Sequence, residues 1–280
     1  MPSKPITASY VLTAALSGFF TGVLAGLVGL GGAEERIPFI LYALKEPLYD
    51  MVVANLVISF ATSGLNFALR ANEGLLPTPA LIISLVMIVG SLPGAFLGAS
   101  LSHRISERKL KAFIAVVLGL VVARLSADFI AGTSPTTSTV GPYLEFPLAV
   151  VFGFLIGIIG GGVGVAGGEY RIPVLIFMFG FPIKIARTAS QLVSLPTILM
   201  ALLRHTNMGF LSKRSLVVAA LMGIPSVIGV IVSLRILLAS GEEIIRLVFA
   251  LLLTYTIVRL LLELRPNKKP TSIQKARALA

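Results

Sequence analysis

Two short charged segments lie inside long apolar runs of this sequence, and their residue types are the ones best suited to chemistry. The first reads AEERI at 33–37, and the second reads GEYRI at 168–172. Guanidinium groups bind anions through paired, charge-assisted hydrogen bonds, whereas carboxylates bind hard cations. The two segments therefore predict a binding site for a small ion, either an anion at the arginines or a cation at the glutamates.

The composition places these segments in a membrane protein. Of the 280 residues, 56% are hydrophobic and 12% are charged, against about 25% charged in an ordinary soluble domain. The mean hydropathy is +0.97. Because so few polar residues cannot cover a soluble protein of this size, we predict an all-α, polytopic membrane protein.

Several functional classes are excluded or disfavoured by the same composition. The chain has no cysteine and two histidines, which excludes thiolate chemistry and a histidine-rich metal site. No nucleophile–base pair is recognisable, so we predict no enzyme, no metal and no cofactor. The net charge of +11 comes mostly from loops between apolar runs, which indicates contact with anionic membrane lipid and no nucleic-acid partner.

The sequence contains an internal repeat at an offset of 135 residues. Residues 18–38 align with 153–173 without a gap, and the aligned glycines are Gly18, Gly22, Gly26, Gly29 and Gly32 with Gly153, Gly157, Gly161, Gly164 and Gly167. The charged segment and a following Ile-Pro recur in both copies. We predict a first repeat at 1–130, a linker at 131–145, a second repeat at 146–264 and a basic cytoplasmic tail at 265–280. Membrane proteins built from two repeats are very often secondary transporters.

Each repeat contains three apolar runs of about 20 residues, the length that crosses a bilayer. These predicted spans are 48–69, 77–101 and 110–130, followed by 185–203, 213–238 and 244–264. Before them, each repeat has a Gly-rich run, a polar break and a short apolar run. We expect this region to form a re-entrant or broken helix pair.

The charges of the loops predict the orientation of the repeats. Lys and Arg are concentrated at 102–111, at 204–214 and in the tail, which should be cytoplasmic, whereas 70–76 and the linker should be outside. Equivalent loops then fall on opposite sides, so we predict inverted repeats in the plasma or inner membrane, with both termini cytoplasmic. If the first Gly-rich run crosses fully, the alternative is eight spans and parallel repeats. A homodimer is compatible with the sequence, which does not decide the oligomeric state.

The two breaks form the predicted binding site. Proline is favoured in the first turn of a helix, so we expect helices to begin near Ile37 and Ile172 and to direct free N–H groups at the break. Together with the arginines they would bind an anion, beside glycines that expose the backbone and polar groups of the next span. The predicted substrate-binding residues are Gly31, Gly32, Arg36, Asn55, Gly167, Gly168, Arg171, Ser190 and Gln191, with Ser59 and Ser194 as secondary candidates.

The acidic residues of the breaks could have either of two roles. Glu34 and Glu169 occupy equivalent positions, and they could carry protons with the anion or act as counter-ions that fix the arginines in internal salt bridges. Glu35 and Tyr170 are secondary candidates. The polar residues of the neighbouring spans could equally make only interhelical hydrogen bonds. A cation or metal-ion permease that uses the Glu34 and Glu169 carboxylates remains the alternative function.

These motifs resemble the sulfite exporter family of the TauE/SafE type, also called the toluene-sulfonate uptake permease group. The resemblance rests on the duplicated G-x-x-x-G-x-x-x-G…G-G motif, the Ile-Pro after each break and the segment ARTASQLVSLPT at 186–197. It implies a plasma-membrane carrier of a small sulfur oxyanion such as sulfite, or of an organosulfonate, that works by alternating access. Many members have apolar residues between Gly-Gly and the proline, where this chain has charges, so the substrate is left open.

Overall fold

The computed structural model describes residues 5–29, 31–46, 48–101 and 141–239. The predicted spans 110–130 and 244–264, most of the linker and the tail lie outside the described residues. Throughout the described ranges the regular structure is helical. The helices are α1 (Ala8–Val28), α2 (Ala33–Pro38), α3 (Leu48–Asn72), α4 (Thr78–Leu101), α5 (Pro142–Val163), α6 (Gly168–Phe177), α7 (Ile183–Asn207) and α8 (Lys213–Ala239), with a π-helical turn at Phe39–Ala43 after α2.

Six of these helices are long and apolar enough to cross a membrane, namely α1, α3, α4, α5, α7 and α8. Their bounds agree closely with the predicted apolar runs, because a run of about 20 apolar residues can satisfy its backbone in a bilayer only as a helix. The prediction of an all-α, multi-pass membrane protein is therefore confirmed.

The helices after the two breaks begin one turn earlier than predicted. They begin at Ala33 and Gly168, not near Ile37 and Ile172. The preceding Gly32 and Gly167 have φ values of 74° and 69°, a left-handed conformation that glycine adopts without steric cost, so the chain turns there and the helix follows at once. The prolines consequently lie inside the helices, and the charged residues lie in the first turns, not in an unwound segment.

The first helix of each repeat packs against the last described helix of the other repeat. A Cβ on Gly18 or Gly22 of α1 would overlap the backbone of Met222 or Ser226 in α8. The equivalent glycines of α5 approach α4 in the same way, with Gly153 against Met87 and Gly157 against Ser91. Both contacts advance in the same direction along both helices, so α1 is parallel to α8 and α5 is parallel to α4.

The central helices α3 and α7 run antiparallel. Val52 near the start of α3 packs with Ile198 and Ala201 near the end of α7. Helix α4 is parallel to α7, since Thr197 bonds Ser91 and, further along both helices, Arg204 bonds Ser100. Helix α1 is parallel to α3, because Tyr10 packs near Met51 while Asn66 reaches the carbonyl of Ala25.

These directions define two faces of the bundle. The lower face is the one at which α1, α3 and α8 begin, and the upper face is the one at which α4, α5 and α7 begin. The segment after α1 returns to the lower face, where the Tyr10 hydroxyl donates a hydrogen bond of 2.9 Å to Glu46. Arg214 at the start of α8 joins the same carboxylate. The contact closes the first hairpin.

Candidate functional site

Arg36 fastens the first break to α3. Its side chain is fully buried, and Nη1 donates to Asn55 Oδ1 at 2.9 Å and to Ser59 Oγ at 3.0 Å. Its Nη2 donates to the carbonyl of Gly31 at 3.3 Å. The Asn55 amide also donates to the carbonyl of Gly164 at 3.2 Å, so the hydrogen bonds of this arginine extend to the second break.

Arg171 makes the equivalent contacts in the second repeat. It is fully buried as well, and Nη1 donates to Ser194 Oγ at 2.8 Å and to the carbonyl of Ser190 at 3.0 Å, while Nη2 reaches Ala166 O at 3.4 Å. Each residue in this set lies 135 positions after its counterpart around Arg36. The structure therefore brings the predicted residues together in two clusters that share one hydrogen-bonding pattern.

The other predicted residues are placed less uniformly. Glu169 is 3% exposed and lies with Arg171 in the first turn of α6, whereas Tyr170 belongs to a hydrophobic cluster with Ile172. Glu35 is half-buried in α2. Glu34 lies in the same helix, but its side chain is outside the described part of the structure.

The glycines of the breaks allow close approach of neighbouring side chains. Gly31 has a φ of 87°, and a Cβ built on it would lie 2.7 Å from Ser63 Oγ. A Cβ on Gly167 would lie 2.8 Å from the side chain of Ile156. Gly168 is buried and opens α6. Larger residues at Gly31 or Gly167 would be strained by both their conformation and their neighbours.

Two further arginines belong to the same buried region and were not predicted. Arg70 is fully buried, and its described hydrogen-bond partners are the neutral Gly26 carbonyl and Asn66 Oδ1. Arg187 is also fully buried and packs against Gly29, on which a Cβ would lie 3.0 Å from Arg187 Cβ. A charge within the predicted span 185–203 was a signal for Arg187. The prediction assigns Arg70 to the loop 70–76, because a charged residue in the last turn of a span cannot be distinguished from a loop residue in the sequence.

Several buried polar atoms of α3 and α7 have no hydrogen-bond partner within the described ranges. They are Ser63 Oγ, Arg70 Nη1, Ser190 Oγ and both polar atoms of the Gln191 amide. A buried donor without a partner costs about 1–3 kcal/mol. The region therefore combines positive charge with unused hydrogen-bonding capacity, a combination suited to binding an anion.

Comparisons with known proteins agree with this picture. A family model described as "Sulfite exporter TauE/SafE" matches residues 2–125 and 149–280. A "Probable membrane transporter protein YunE" of Bacillus subtilis is 24% identical over 209 residues, covering 66% of this chain and 74% of the relative. A "Probable membrane transporter protein" of Haemophilus influenzae is 27% identical over 178 residues, covering 60% and 63% respectively. No solved structure matches the chain.

The family match covers both repeats and nearly every described helix, and both relatives carry the name of a membrane transporter. The six apolar helices fit the same function, which is transport and not catalysis. This chain belongs to the sulfite exporter TauE/SafE family of membrane transporters.

Proposed function

We propose that this protein is a secondary transporter of a small anion, and that the anion is a sulfur oxyanion such as sulfite or an organosulfonate. The observation that supports the proposal is the presence of four fully buried arginines, Arg36, Arg70, Arg171 and Arg187, inside a bundle of membrane-length helices. Buried charges in a membrane protein usually mark the path of an ion. Their positive sign favours an anion.

The substrate binds in the buried region around the breaks in this proposal. Arg36 and Arg171 hold the breaks in shape and supply positive potential, while the remaining polar groups of α3 and α7 bind the oxygen atoms. Since the Asn55 side chain bonds the backbone of both breaks, movement of one break is transmitted to the other. Alternating access then consists of opposite movements of the two hairpins around a central site.

The helix directions support inverted repeats in the membrane. α3 and α7 occupy equivalent positions and run antiparallel, as an inverted arrangement requires. The charges of the helix ends indicate the orientation, because the lower face is the more basic. Apart from the fully buried Arg70 and Arg187, the charged residues at the described helix ends are Lys45, Glu46, Asp50, Arg204, Lys213 and Arg214 at the lower face and Glu73, Glu145, Lys184 and Arg235 at the upper face. We therefore place the lower face in the cytoplasm.

The alternative, a cation permease, meets an electrostatic objection. A cation near Glu169 would lie in the same buried region as Arg171, whose guanidinium carries the same sign of charge as the cation. Replacing the hydration of a bare cation at such a site is unfavourable. This objection does not apply to an anion, because the charge of Arg171 attracts it.

A thermal-stability assay on the purified full chain separates the two functions. A bound ligand stabilises the folded state by RT ln(1 + [L]/Kd), so we expect sulfite, thiosulfate or an organosulfonate to raise the unfolding midpoint in a saturable way. Sodium chloride at the same ionic strength is the control. A rise produced by Mn²⁺ or Ca²⁺ and by none of the anions would refute the anion proposal.

A further inference from the structure

The two repeats have the same backbone plan around their breaks, but the side chains there differ in kind. Gly29 of the first break packs against Arg187, and the equivalent Gly164 packs against Val52, the residue equivalent to Arg187. One break thus faces a guanidinium where the other faces an isopropyl group.

The same difference continues along α3 and α7. Arg70 donates to the carbonyl of Gly26, and its counterpart His205 places Nε2 3.2 Å from the carbonyl of Gly161. At helical spacings of four or seven residues from Arg70 or Arg187, and so on the same helix faces, lie Ser63, Asn66 and Gln191, whose counterparts are Ile198, Ala201 and Leu56. Those three counterparts and Val52 form an apolar cluster with Ala166.

The polar set also has hydrogen-bonding capacity that the described chain does not use. Ser63 Oγ lies next to Gly31 of the first break and has no partner among the described residues, and the same holds for Arg70 Nη1 and the Gln191 amide. All three side chains are buried, with at most 1% of their surface exposed. The apolar half has no comparable set among its described counterparts.

We propose that the oxyanion binds in one half of the pseudo-symmetric bundle, between the first break and the side chains of Arg70, Arg187, Ser63 and Gln191. This inference rests on the proposed function and assigns its substrate site. Two guanidinium groups match the charge of a small divalent oxyanion. The Ser63 hydroxyl and the Gln191 amide donate to its remaining oxygens. The site lies toward the upper face, since Arg70 is near the end of α3 and Arg187 is near the start of α7.

The repeat itself supplies the test variants. Arg187→Val and Gln191→Leu each introduce the residue that the other half has at the equivalent position, so the backbone plan already accommodates side chains of that size there. Leu56→Met is the matched control, because it changes a buried residue of the apolar half with little change in volume. Each variant is prepared as the full chain in lipid nanodiscs, and its folding is checked by size-exclusion chromatography.

Titration calorimetry with sodium sulfite, sodium sulfate and sodium phosphate measures the affinities. We expect Arg187→Val to weaken binding at least about tenfold, because a charge-assisted hydrogen bond is lost, and Gln191→Leu to weaken it severalfold. Leu56→Met should stay within about twofold of the wild type.

The outcomes separate this inference from the proposed function. If the wild type binds one of the anions and folded Arg187→Val and Gln191→Leu retain its affinity, the asymmetric site is wrong while the anion function stands. If Arg187→Val does not fold, Gln191→Leu decides alone, since it removes no charge. A wild type that binds none of the three anions overturns the asymmetric oxyanion site, and the proposed function falls with it if thiosulfate and the organosulfonates also fail to stabilise the protein in the thermal-stability assay.

Discussion

At the scale of the residue, Arg36 and Arg171 join the two breaks to the helices that follow them. Arg36 and Arg171 each bond a break carbonyl and a serine hydroxyl of the following helix. Such contacts orient a guanidinium group and keep its charge inside the bundle. The same side chain can therefore fasten the backbone and attract an anion.

Replacing Arg36 or Arg171 by glutamine should destabilise the fold as well as weaken anion binding. Each substitution leaves buried acceptors without a donor, which costs about 1.5–3 kcal/mol for hydrogen bonds to a charged group. The unfolding midpoint in detergent measures the effect, and Arg235→Gln, at an exposed arginine, is the control. A midpoint equal to that of the wild type would show that these hydrogen bonds do not hold the breaks.

Glu169 gives a prediction about coupling. An anion that enters the buried region around the breaks brings negative charge toward this buried carboxylate, which would then take a proton and move it in the same direction as the anion. Uptake should therefore be faster with an acidic exterior and an alkaline interior, and Glu169→Gln should lose this acceleration. Flux at several imposed pH gradients measures it, with the exposed Glu73→Gln as control. An unchanged response in Glu169→Gln would identify the residue as a structural counter-ion.

At the scale of the element, small residues determine which helices meet. The glycines of α1 and α5 bring these two helices into direct backbone contact with α8 and α4, respectively. The first helix of each repeat is therefore packed against a helix of the other repeat. Without a hydrophobic driving force between helices in lipid, this close backbone packing stabilises the bundle. The glycines that recur every fourth residue in α1 and α5 therefore serve helix packing.

A single methyl group at this interface should be costly. Gly22→Ala would force the added Cβ into the backbone of Ser226, and overpacking of this kind costs about 1–3 kcal/mol. Gly64→Ala is the matched control, since its Cβ would lie 3.6 Å from Leu195 in ordinary contact. Fluorescence-detected size-exclusion chromatography after a heating series compares the two. Equal heat resistance would contradict the assigned packing of α1 and α8.

The sequence predicts the elements better than their contacts. Apolar runs determine where α3, α4, α7 and α8 lie, because a bilayer requires helices of that length. The predicted starts of α2 and α6 lie one turn too late, because the prediction assigns the prolines to the first turn, whereas the left-handed Gly32 and Gly167 precede the first turn directly. The site residues Arg36 and Arg171 stood out through their repeat, whereas the role of Arg70 depends on a carbonyl in another helix, a contact that no local pattern reveals.

At the scale of the whole molecule, the two repeats share a pseudo-symmetric backbone arrangement but differ in the side chains at equivalent positions. The hydrogen bonds of Arg36 and Arg171 and the glycine contacts repeat between the halves, but Arg187 and Arg70 are matched by Val52 and His205. A symmetric frame suits two mirror-related conformations of a transporter. An asymmetric lining allows the affinity for the anion to differ between them.

The proposed inversion predicts opposite exposure of two equivalent residues. Asn72 and Asn207 are both exposed at the ends of α3 and α7. Since the chain has no cysteine, Asn72→Cys and Asn207→Cys each provide a single thiol. An impermeant maleimide should label Asn72→Cys in intact cells and Asn207→Cys only after permeabilisation. Labelling of both from the same side would favour parallel repeats.

The most direct test of the central claim is the uptake of radiolabelled sulfite by proteoliposomes that contain the full chain. The account predicts saturable uptake that exceeds that of protein-free liposomes and falls when unlabelled sulfite or an organosulfonate is added. Arg187→Val should reduce the initial rate at low sulfite concentration at least about tenfold, in line with the loss of a charge-assisted contact. Protein-dependent uptake of Mn²⁺, with no uptake of sulfite, thiosulfate or organosulfonate above the protein-free level, would contradict it.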